Sequence, residues 1–187
     1  LSWLLILLGI AIHLDSPGPI FFRQKRAGKN GTYFYIYKFR TMRIDTPHDM
    51  PTHMLNNPDL FITRVGRFLR KTSLDELPQL FNILKGDMSV VGPRPERPEI
   101  AAQYCEEMPE FALRLQAKAG LTGYAQVYGK YNTTPYDKLQ MDLMYIAHPS
   151  LVEDLKIMLA TVKILFMPES TEGVSEGQTT AMSGDKQ

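Results

Sequence analysis

Residues 70–96 constrain the fold of this chain most, because they combine a helix start, a helix end, a buried strand and a rigid loop in one short stretch. Ser73 and Glu76 have the S-x-x-E spacing of a capping box, in which side chain and backbone donors satisfy each other. Pro78 is tolerated only in a first helical turn, so we predict that the helix begins at residue 74 or 75. Capping is the simplest interpretation of this pattern.

Asp75 and Glu76 form an adjacent pair of acids at that predicted helix start. The positive end of a helix dipole keeps carboxylates ionised and also receives phosphate oxygens. An acid pair in such a place can supply a nucleophile and a metal ligand, which is the functional alternative to capping.

The second half of the stretch predicts a helix end, a strand and a loop. Apolar residues at positions 80, 81, 83 and 84 are spaced to bury one helix face, Gly86 follows the helix, and residues 88–91 are typical of a buried strand. Arg94 stands between two prolines, which would present its guanidinium to a phosphate with little entropy left to lose. A surface turn with a solvated arginine explains the same motif equally well.

Composition and charge limit the class of protein. The 187 residues, 44% of them apolar, are enough for one domain with a real core, and 21 basic residues against 20 acidic ones leave a net charge of +1. Residues 16–44 contain several lysines and arginines and no acid, which favours an anionic surface or a phosphate-bearing substrate. No nucleic-acid-binding motif accompanies them. Cys105 is the single cysteine, which is typical of a cytosol-facing chain, and the four histidines lack metal-ligand spacing.

Residues 1–12 are continuously apolar, but a bilayer crossing needs ~20 such residues. Three interpretations stay open: the end of a spanning helix, a re-entrant or interfacial segment, and a signal-peptide core. The last is the weakest, because no basic region precedes the run and a proline-rich turn follows it. We therefore expect a chain that starts inside a longer one, with residues 1–15 as a membrane-inserted helix segment.

The rest of the chain alternates strands, helices and loops. Asn30-Gly31 predicts a hairpin turn between two strands, and Lys38 and Arg40 lie at the end of the second strand. The remaining predicted elements are a mobile loop at 44–60, a helix with a basic stripe at 63–71, a helix at 99–118 broken at Pro109, a loop, strand and loop at 119–129, a helix at 136–147, a helix at 151–166 and a disordered polar tail at 169–187.

The predicted helix at 151–166 carries one broad apolar arc, made of Leu151, Leu155, Met158, Leu159, Val162, Leu165 and Phe166. Core packing and a position in the membrane interface explain this arc about equally well. The apolar N-terminus favours the interface.

Five blocks of sequence, in order, carry a resemblance to a known family. They are KFRTM at 38–42, LRKTSLDELPQL at 69–80, LKGDMS at 84–89, VGPRP at 91–95, and GLTG at 120–123 together with AQV at 125–127. Together they resemble the bacterial sugar transferases, the monotopic phosphoglycosyl transferases, over roughly residues 12–168. The fold expected from the pattern and this resemblance is α/β in the α+β sense: helix-rich, with a small β-hairpin or sheet and amphipathic interfacial helices.

The resemblance implies an enzyme that moves a sugar-1-phosphate from a UDP-sugar to a polyprenyl phosphate such as undecaprenyl phosphate, releasing UMP. By position in the motifs, Asp75 matches the family's nucleophile, and Glu76 matches the second acid of the dyad, which is associated with Mg2+. Further substrate- or phosphate-binding positions are expected at Lys38, Arg70, Arg94, Gln126 and Asp142. A carboxylate that attacks a phosphoanhydride needs its charge neutralised, which these cations and the metal ion would do.

The same resemblance implies a monotopic protein on the cytoplasmic face of a bacterial inner membrane, acting in polysaccharide or glycoconjugate synthesis. Its catalytic domain would cover residues 16–168. The partners would be the UDP-sugar, the polyprenyl phosphate and membrane lipids, without nucleic acid and with a homo-oligomer as a further possible partner. The family's re-entrant helix is broken at a Ser-Pro pair, and Ser16-Pro17 lies too late in this chain to be that break.

Two departures from the family pattern affect substrate contacts. Tyr124 stands where the family often has tryptophan, and residues 128–131 read YGKY where Asn-Gly-Arg-Asn is common. A lysine does not reproduce the bidentate fork of an arginine, so nucleotide and sugar contacts are affected more than the chemistry. A nucleotide-sugar or lipid-phosphate hydrolase, and a non-catalytic membrane adaptor, stay as alternative functions.

Overall fold

The structure, a computed structural model, describes residues 2–47, 57–129 and 133–166. Within these ranges the helices are α1 (Ser2–Asp15), α2 (Arg64–Thr72), α3 (Gln79–Lys85), α4 (Pro98–Glu107), α5 (Phe111–Arg114), α6 (Tyr124–Tyr128), α7 (Pro135–Ala147) and α8 (Leu151–Leu165). The strands are β1 (Phe21–Ala27), β2 (Tyr33–Phe39), β3 (Met88–Val91) and β4 (Ala119–Thr122). The prediction of a helix-rich α/β chain with small sheets is confirmed.

The strands form two separate two-stranded sheets, β1 with β2 and β3 with β4. The chain divides into two compact units, the first from Leu1–Gln24 and Tyr35–Asn82, the second from Lys25–Phe34 and Ile83–Gln187. The β-hairpin contributes its open end to the first unit and its turn end to the second. Its predicted turn is confirmed, because Asn30 and Gly31 both adopt positive φ (54° and 73°).

The first unit packs around Ile12, Phe39 and Leu69, which come from α1, β2 and α2. Gly66 of α2 lies directly against the chain that follows β2: a Cβ atom at this position would lie 2.0 Å from the carbonyl oxygen of Thr41. Only glycine permits so close an approach of two backbones. It brings the first turn of α2 against the chain just after β2.

The turn after α1 is held by Arg40, which is 7% exposed. Its guanidinium donates hydrogen bonds to the carbonyl oxygens of Ser16, Pro17 and Pro19 and to the Ser16 hydroxyl. Burial lowers the pKa of Arg40, and Asp15 opposes that effect. Arg40 therefore anchors α1 to the end of β2.

The second unit contains the parallel pair β3 and β4, in which Met88 lies opposite Ala119 and Val91 opposite Thr122. Parallel strands need a long crossover, which here contains α4 and α5. A Cβ atom on Gly92 would lie 2.5 Å from the carbonyl oxygen of Lys118. The residue after β3 therefore lies directly against the residue before β4. A separate core forms around Ala27, Ala101, Phe111 and Leu139.

Three local predictions are wrong. The expected helix start at 74–75 is a 3₁₀ turn, Leu74–Glu76, and the helix begins at Gln79. That helix leaves half of its expected apolar face exposed: Phe81 and Leu84 are 47% and 82% exposed, and Leu80 and Ile83 are only partly buried, whereas Gln79 and Asn82 are buried. The segment after β4 forms the helix α6 instead of a loop.

The remaining elements agree with the sequence analysis. The helix break at Pro109, the strand at 88–91 and the helices near 63–71, 136–147 and 151–166 are confirmed. Most of the loop predicted at 44–60, the family departure at 130–131 and the tail at 169–187 lie outside the described residues. The predicted domain boundaries stay predictions.

The apolar arc of α8 does not pack into the core. Its exposed members are Leu151 (82%), Leu155 (58%), Leu159 (71%), Val162 (52%), Leu165 (43%) and Phe166 (84%). The helix is held from its other side, where Ile157 is fully buried and the Thr161 hydroxyl hydrogen-bonds to that of Thr122 at 2.6 Å. Core packing therefore does not explain the arc. In the described ranges, none of the helices has both the length and the apolar composition that a bilayer crossing requires.

Candidate functional site

The acid pair Asp75 and Glu76 lies in the 3₁₀ turn between α2 and α3. The turn follows Ser73, whose φ of 55° ends α2 abruptly. The predicted capping box is absent, because the Ser73 side chain makes no capping hydrogen bond. The backbone N–H of Glu76 donates to the Ser73 carbonyl oxygen at 3.2 Å. The S-x-x-E pattern therefore does not act as a capping box in this turn.

Lys38 binds Glu76 directly. Its Nζ lies 2.6 Å from Oε1 of Glu76, and the two side chains are 18% and 22% exposed. Partial burial makes such a pair stronger than an exposed surface ion pair. The end of β2 thus places a cation beside the acid pair.

Arg70 is the second cation beside the acid pair. Its Nε donates to the Thr41 hydroxyl oxygen at 2.9 Å, which fixes the side chain against the chain after β2. Burial is the main effect on the guanidinium and lowers the pKa of Arg70, and the charges of Asp75 and Asp59 oppose it. Arginine stays protonated in proteins, so Arg70 places a fixed positive charge near Asp75.

Asp75 is a partly buried carboxylate whose pKa is raised above its ordinary value, mainly by desolvation. Lys38 is the strongest charge that opposes this shift, Glu76 adds to it, and Arg70 opposes it more weakly. The carboxylate therefore lies in the combined field of two cations and one acid, which is the environment of a nucleophile or a metal ligand.

The acid pair fits a magnesium ion that is shared with a substrate. Mg2+ prefers oxygen ligands and is commonly held by one or two carboxylates together with substrate phosphates and water. Asp75 and Glu76 supply carboxylate oxygens side by side. Among the residues that the structure describes, no group of three or more His, Cys, Asp or Glu side chains could hold an ion alone. A magnesium ion bound here would therefore need oxygens from a substrate or from water in addition to these carboxylates.

The second unit carries the other expected site residues. Arg94 is exposed, whereas Pro93 and Pro95 on either side of it are buried. Two buried prolines hold the backbone on both sides, so the guanidinium projects outward from a rigid segment, as the sequence predicts.

Asp142 lies on α7 and is only 2% exposed. Its Oδ2 accepts a hydrogen bond from Nε of Arg114 at 2.6 Å, and the backbone N–H of Ala125 also donates to its carboxylate. Desolvation is the largest effect on this carboxyl and raises the pKa of Asp142, while Arg114 opposes the shift. The predicted role of Asp142 in substrate binding stays a prediction.

Gln126, one residue after Ala125, offers a buried hydrogen-bond donor. Its Nε2 is shielded from solvent and has no acceptor among the described residues. A buried donor without an acceptor costs about 1–3 kcal/mol, so a ligand oxygen there would remove a real penalty. A substrate contact by Gln126 stays a prediction.

The structure brings together four of the expected residues, Lys38, Arg70, Asp75 and Glu76, within the first unit. Arg94, Gln126 and Asp142 belong to the second. Sequence reasoning missed Asn82, a fully buried side chain that accepts from the N–H of Tyr37 (3.1 Å) and donates to the carbonyl of Tyr35 (2.7 Å). It ties α3 to β2, and no sequence pattern singled it out.

Comparison with known proteins gives consistent matches. The sequence model of the family described as "Bacterial sugar transferase" matches residues 1–168. The chain is 46% identical over 174 residues to a UDP-glucose:undecaprenyl-phosphate glucose-1-phosphate transferase of Caulobacter vibrioides, covering 89% of this chain and 64% of that protein. It is 42% identical over 168 residues to an enzyme of the same name from Xanthomonas campestris pv. campestris, covering 87% and 35%.

A third relative is named for a different sugar. It is a UDP-N-acetylgalactosamine-undecaprenyl-phosphate N-acetylgalactosaminephosphotransferase of Aeromonas hydrophila, 39% identical over 167 residues, with 88% of this chain and 39% of that protein covered. The chain thus spans between about a third and two thirds of the length of these three relatives.

Proposed function

The chain belongs to the bacterial sugar transferase family, and we propose that it catalyses transfer of a sugar-1-phosphate from a UDP-sugar to a polyprenyl phosphate, with Asp75 as the nucleophile. The observation that carries this proposal is the environment of Asp75. It is a desolvated carboxylate beside a second acid, and two cations, Lys38 of β2 and Arg70 of α2, supply positive charge near it. The names of the relatives supply the substrate class.

In the first step, an oxygen of the Asp75 carboxylate attacks the phosphorus that bears the sugar. A new bond forms from this oxygen to phosphorus, the phosphoanhydride bond breaks, and its electron pair leaves with UMP. In the second step, an oxygen of the polyprenyl phosphate attacks the same phosphorus and displaces Asp75, which recovers its carboxylate. A covalent intermediate lets a water-soluble donor and a lipid acceptor use one nucleophile in turn.

The surrounding residues neutralise charge. Lys38 and Arg70 offset the negative charge that the acid pair and the diphosphate bring together, and Arg94 is assigned to the donor's phosphate oxygens. Mg2+ held by Glu76 and the diphosphate would withdraw charge from the leaving UMP. The raised pKa of Asp75 leaves its carboxylate more basic and thus more nucleophilic than an ordinary one, provided that the pH keeps it ionised.

Exposed apolar surfaces support a lipid acceptor and a membrane location. Trp3, Leu7 and Leu14 of α1 are 81%, 63% and 79% exposed. An open groove of about 590 Å3 between α1 and Phe81 is lined almost entirely by apolar atoms. An isoprenoid chain or lipid acyl chains match such a surface chemically, and we place the enzyme on the cytoplasmic face of a bacterial inner membrane.

UMP release tests the function. The chain is incubated with Mg2+ and each member of a panel of UDP-sugars, with and without polyprenyl phosphate, and nucleotide and lipid products are followed. We expect UMP with one or a few UDP-sugars and a polyprenyl diphosphate sugar when the acceptor is present. Free sugar phosphate without any lipid product would indicate a hydrolase instead. If no donor yields a nucleotide product, a non-catalytic membrane adaptor is the alternative function that remains.

The α8 arc gives a prediction about membrane attachment. Replacing Leu155 and Leu159 with glutamine removes two exposed apolar side chains, and we expect at least about tenfold weaker partitioning onto anionic phospholipid vesicles. The measurement is sedimentation with vesicles, together with the thermal unfolding temperature. Because both side chains are exposed, that temperature should not fall.

Lys156→Gln is the matched control for this pair. Lys156 lies between the two leucines in sequence but is exposed and paired with Glu153. It should weaken vesicle binding far less than the leucine pair. If the double variant and the unmodified chain partition equally onto the vesicles, α8 does not contact the membrane.

A further inference from the structure

Arg114 is a buried cation that no sequence motif singled out. It ends the short helix α5 and is 8% exposed. Its Nε donates to Asp142 at 2.6 Å, its Nη1 lies 3.9 Å from Oε1 of Glu96, and its guanidinium carbon is 5.2 Å from the ring centre of Phe111. A buried charge is tolerated only when it is paired in this way. One arginine thus joins two carboxylates that are distant in sequence.

Glu96 is the last residue of the Arg94 segment, by which we mean residues 93–96. Three carbonyl oxygens of the segment accept hydrogen bonds from elsewhere in the second unit: that of Pro93 from the Gly120 N–H (2.9 Å), that of Pro95 from the Arg26 guanidinium (3.0 Å) and that of Glu96 from the Ala27 N–H (2.9 Å). The Glu96 carboxylate adds a fourth link, to Arg114. Within residues 93–96 Arg94 is the exposed residue, whereas both prolines are buried and Glu96 is partly buried.

The Asp142 side of the cluster leads to α6. The carboxylate that Arg114 holds also accepts from the N–H of Ala125 in the first turn of α6, directly before Gln126. The cluster Glu96–Arg114–Asp142 therefore connects the segment of Arg94 with the helix of Gln126. The space left between this segment and Arg114 is only about 10 Å3, roughly the room for one water molecule, so the segment packs closely against Arg114.

We infer that Arg114 is a positioning residue that holds the Arg94 segment in register for the donor's diphosphate through Glu96, while Asp142 keeps Arg114 in place. This inference rests on the proposed function, because it assigns Arg94 to the phosphate. Neither Arg114 nor Glu96 needs to touch the substrate. Their effect passes through the position of one outward-facing guanidinium.

A double-mutant cycle on Glu96 and Arg94 tests the inference. Glu96→Gln removes the negative charge facing Arg114 but keeps the size of a partly exposed side chain, so the fold is retained. We expect it to lower kcat/KM for UMP release by about tenfold, a typical coupling between contacting groups. In an Arg94→Ala background the same change should cost less than about twofold, because the group that it positions is already absent. Thermal unfolding of all four proteins is measured alongside.

Glu99→Gln is the matched control, because Glu99 is an exposed acid on the neighbouring helix α4. It should leave kcat/KM and the unfolding temperature unchanged in both backgrounds. An equal loss from Glu96→Gln with and without Arg94 would overturn the positioning role, and so would full activity of Arg94→Ala. If the unmodified chain releases no UMP from any UDP-sugar, the proposed function fails and this inference fails with it.

Discussion

Replacing Asp75 with asparagine is expected to abolish UMP release while making the fold more stable at neutral pH. The amide has nearly the same shape but cannot attack phosphorus, so we expect kcat to fall by at least about 10³-fold, as for other lost nucleophiles. No covalent phosphosugar adduct should then be detectable by intact-protein mass spectrometry after incubation with the UDP-sugar. The measurement is UMP release with Mg2+ under saturating donor.

The stability effect follows from the sign of the pKa shift. Folding raises the pKa of Asp75, mainly by desolvation, so the folded state disfavours the ionised carboxylate. Above the folded pKa, the ionised Asp75 lowers the free energy of unfolding. Below the unfolded pKa of ~4 the carboxyl is protonated in both states, and this destabilisation is absent. The side-chain amide of the Asp75→Asn variant carries no charge at any pH. The variant should therefore unfold at a higher temperature than the unmodified chain near neutral pH, and the difference should shrink as the pH falls toward ~4.

Asp45→Asn is the control for both effects, because Asp45 is an exposed acid of the same unit, paired with Arg43. Exposed ion pairs contribute little, so neither activity nor unfolding temperature should change appreciably. If Asp75→Asn keeps its turnover, Asp75 is not the nucleophile. If it unfolds at a lower temperature at neutral pH, the two cations outweigh desolvation at this site.

Replacing Lys38 with methionine is expected to lower kcat about 10²-fold and to move the acid limb of the pH–rate profile to higher pH. The loss of rate reflects a cation removed from the charge that develops on the diphosphate. The pH effect is separate: Lys38 is the strongest charge lowering the pKa of Asp75, so its removal leaves desolvation and Glu76 less opposed. Asp75 would then protonate at a higher pH, and kcat/KM would begin to fall closer to neutrality.

Lys29→Met serves as the control for the same change of charge and shape. Lys29 is exposed in the hairpin turn, so this variant should lower neither the rate nor the pH of the acid limb. A Lys38→Met variant with reduced rate but an unmoved acid limb would show that Lys38 acts on the substrate alone and does not set the protonation of Asp75. An acid limb displaced to lower pH would contradict the electrostatic assignment altogether.

The sequence predicted short-range features well where one residue type has one physical use. Asn30 and Gly31 were correctly expected in a turn because both tolerate positive φ, and Pro109 was correctly expected to break a helix because it has no N–H to donate. The helix start at 74–75 failed, since the S-x-x-E pattern describes an isolated helix. Here Ser73 adopts positive φ, and the Glu76 side chain pairs instead with Lys38, which is distant in sequence.

The expected apolar face at residues 80–84 failed for a related reason. Periodicity shows which side chains share a face of a helix but not what that face meets. In the folded chain the buried face of α3 carries Gln79 and Asn82, and Asn82 satisfies two backbone groups of β2. Phe81 and Leu84 are left exposed, and the arc of α8 is exposed in the same way.

The sequence by itself determined the family and the identity of the acid pair, because motifs of this kind keep specific residues at specific spacings. Only the tertiary structure decided what surrounds the Asp75–Glu76 turn. It paired Glu76 with Lys38, placed Arg70 against Thr41 and desolvated Asp75. It also joined Arg114 to Glu96 and Asp142, which no local pattern could reveal. Charge and burial act through space, between residues that the chain brings together only on folding.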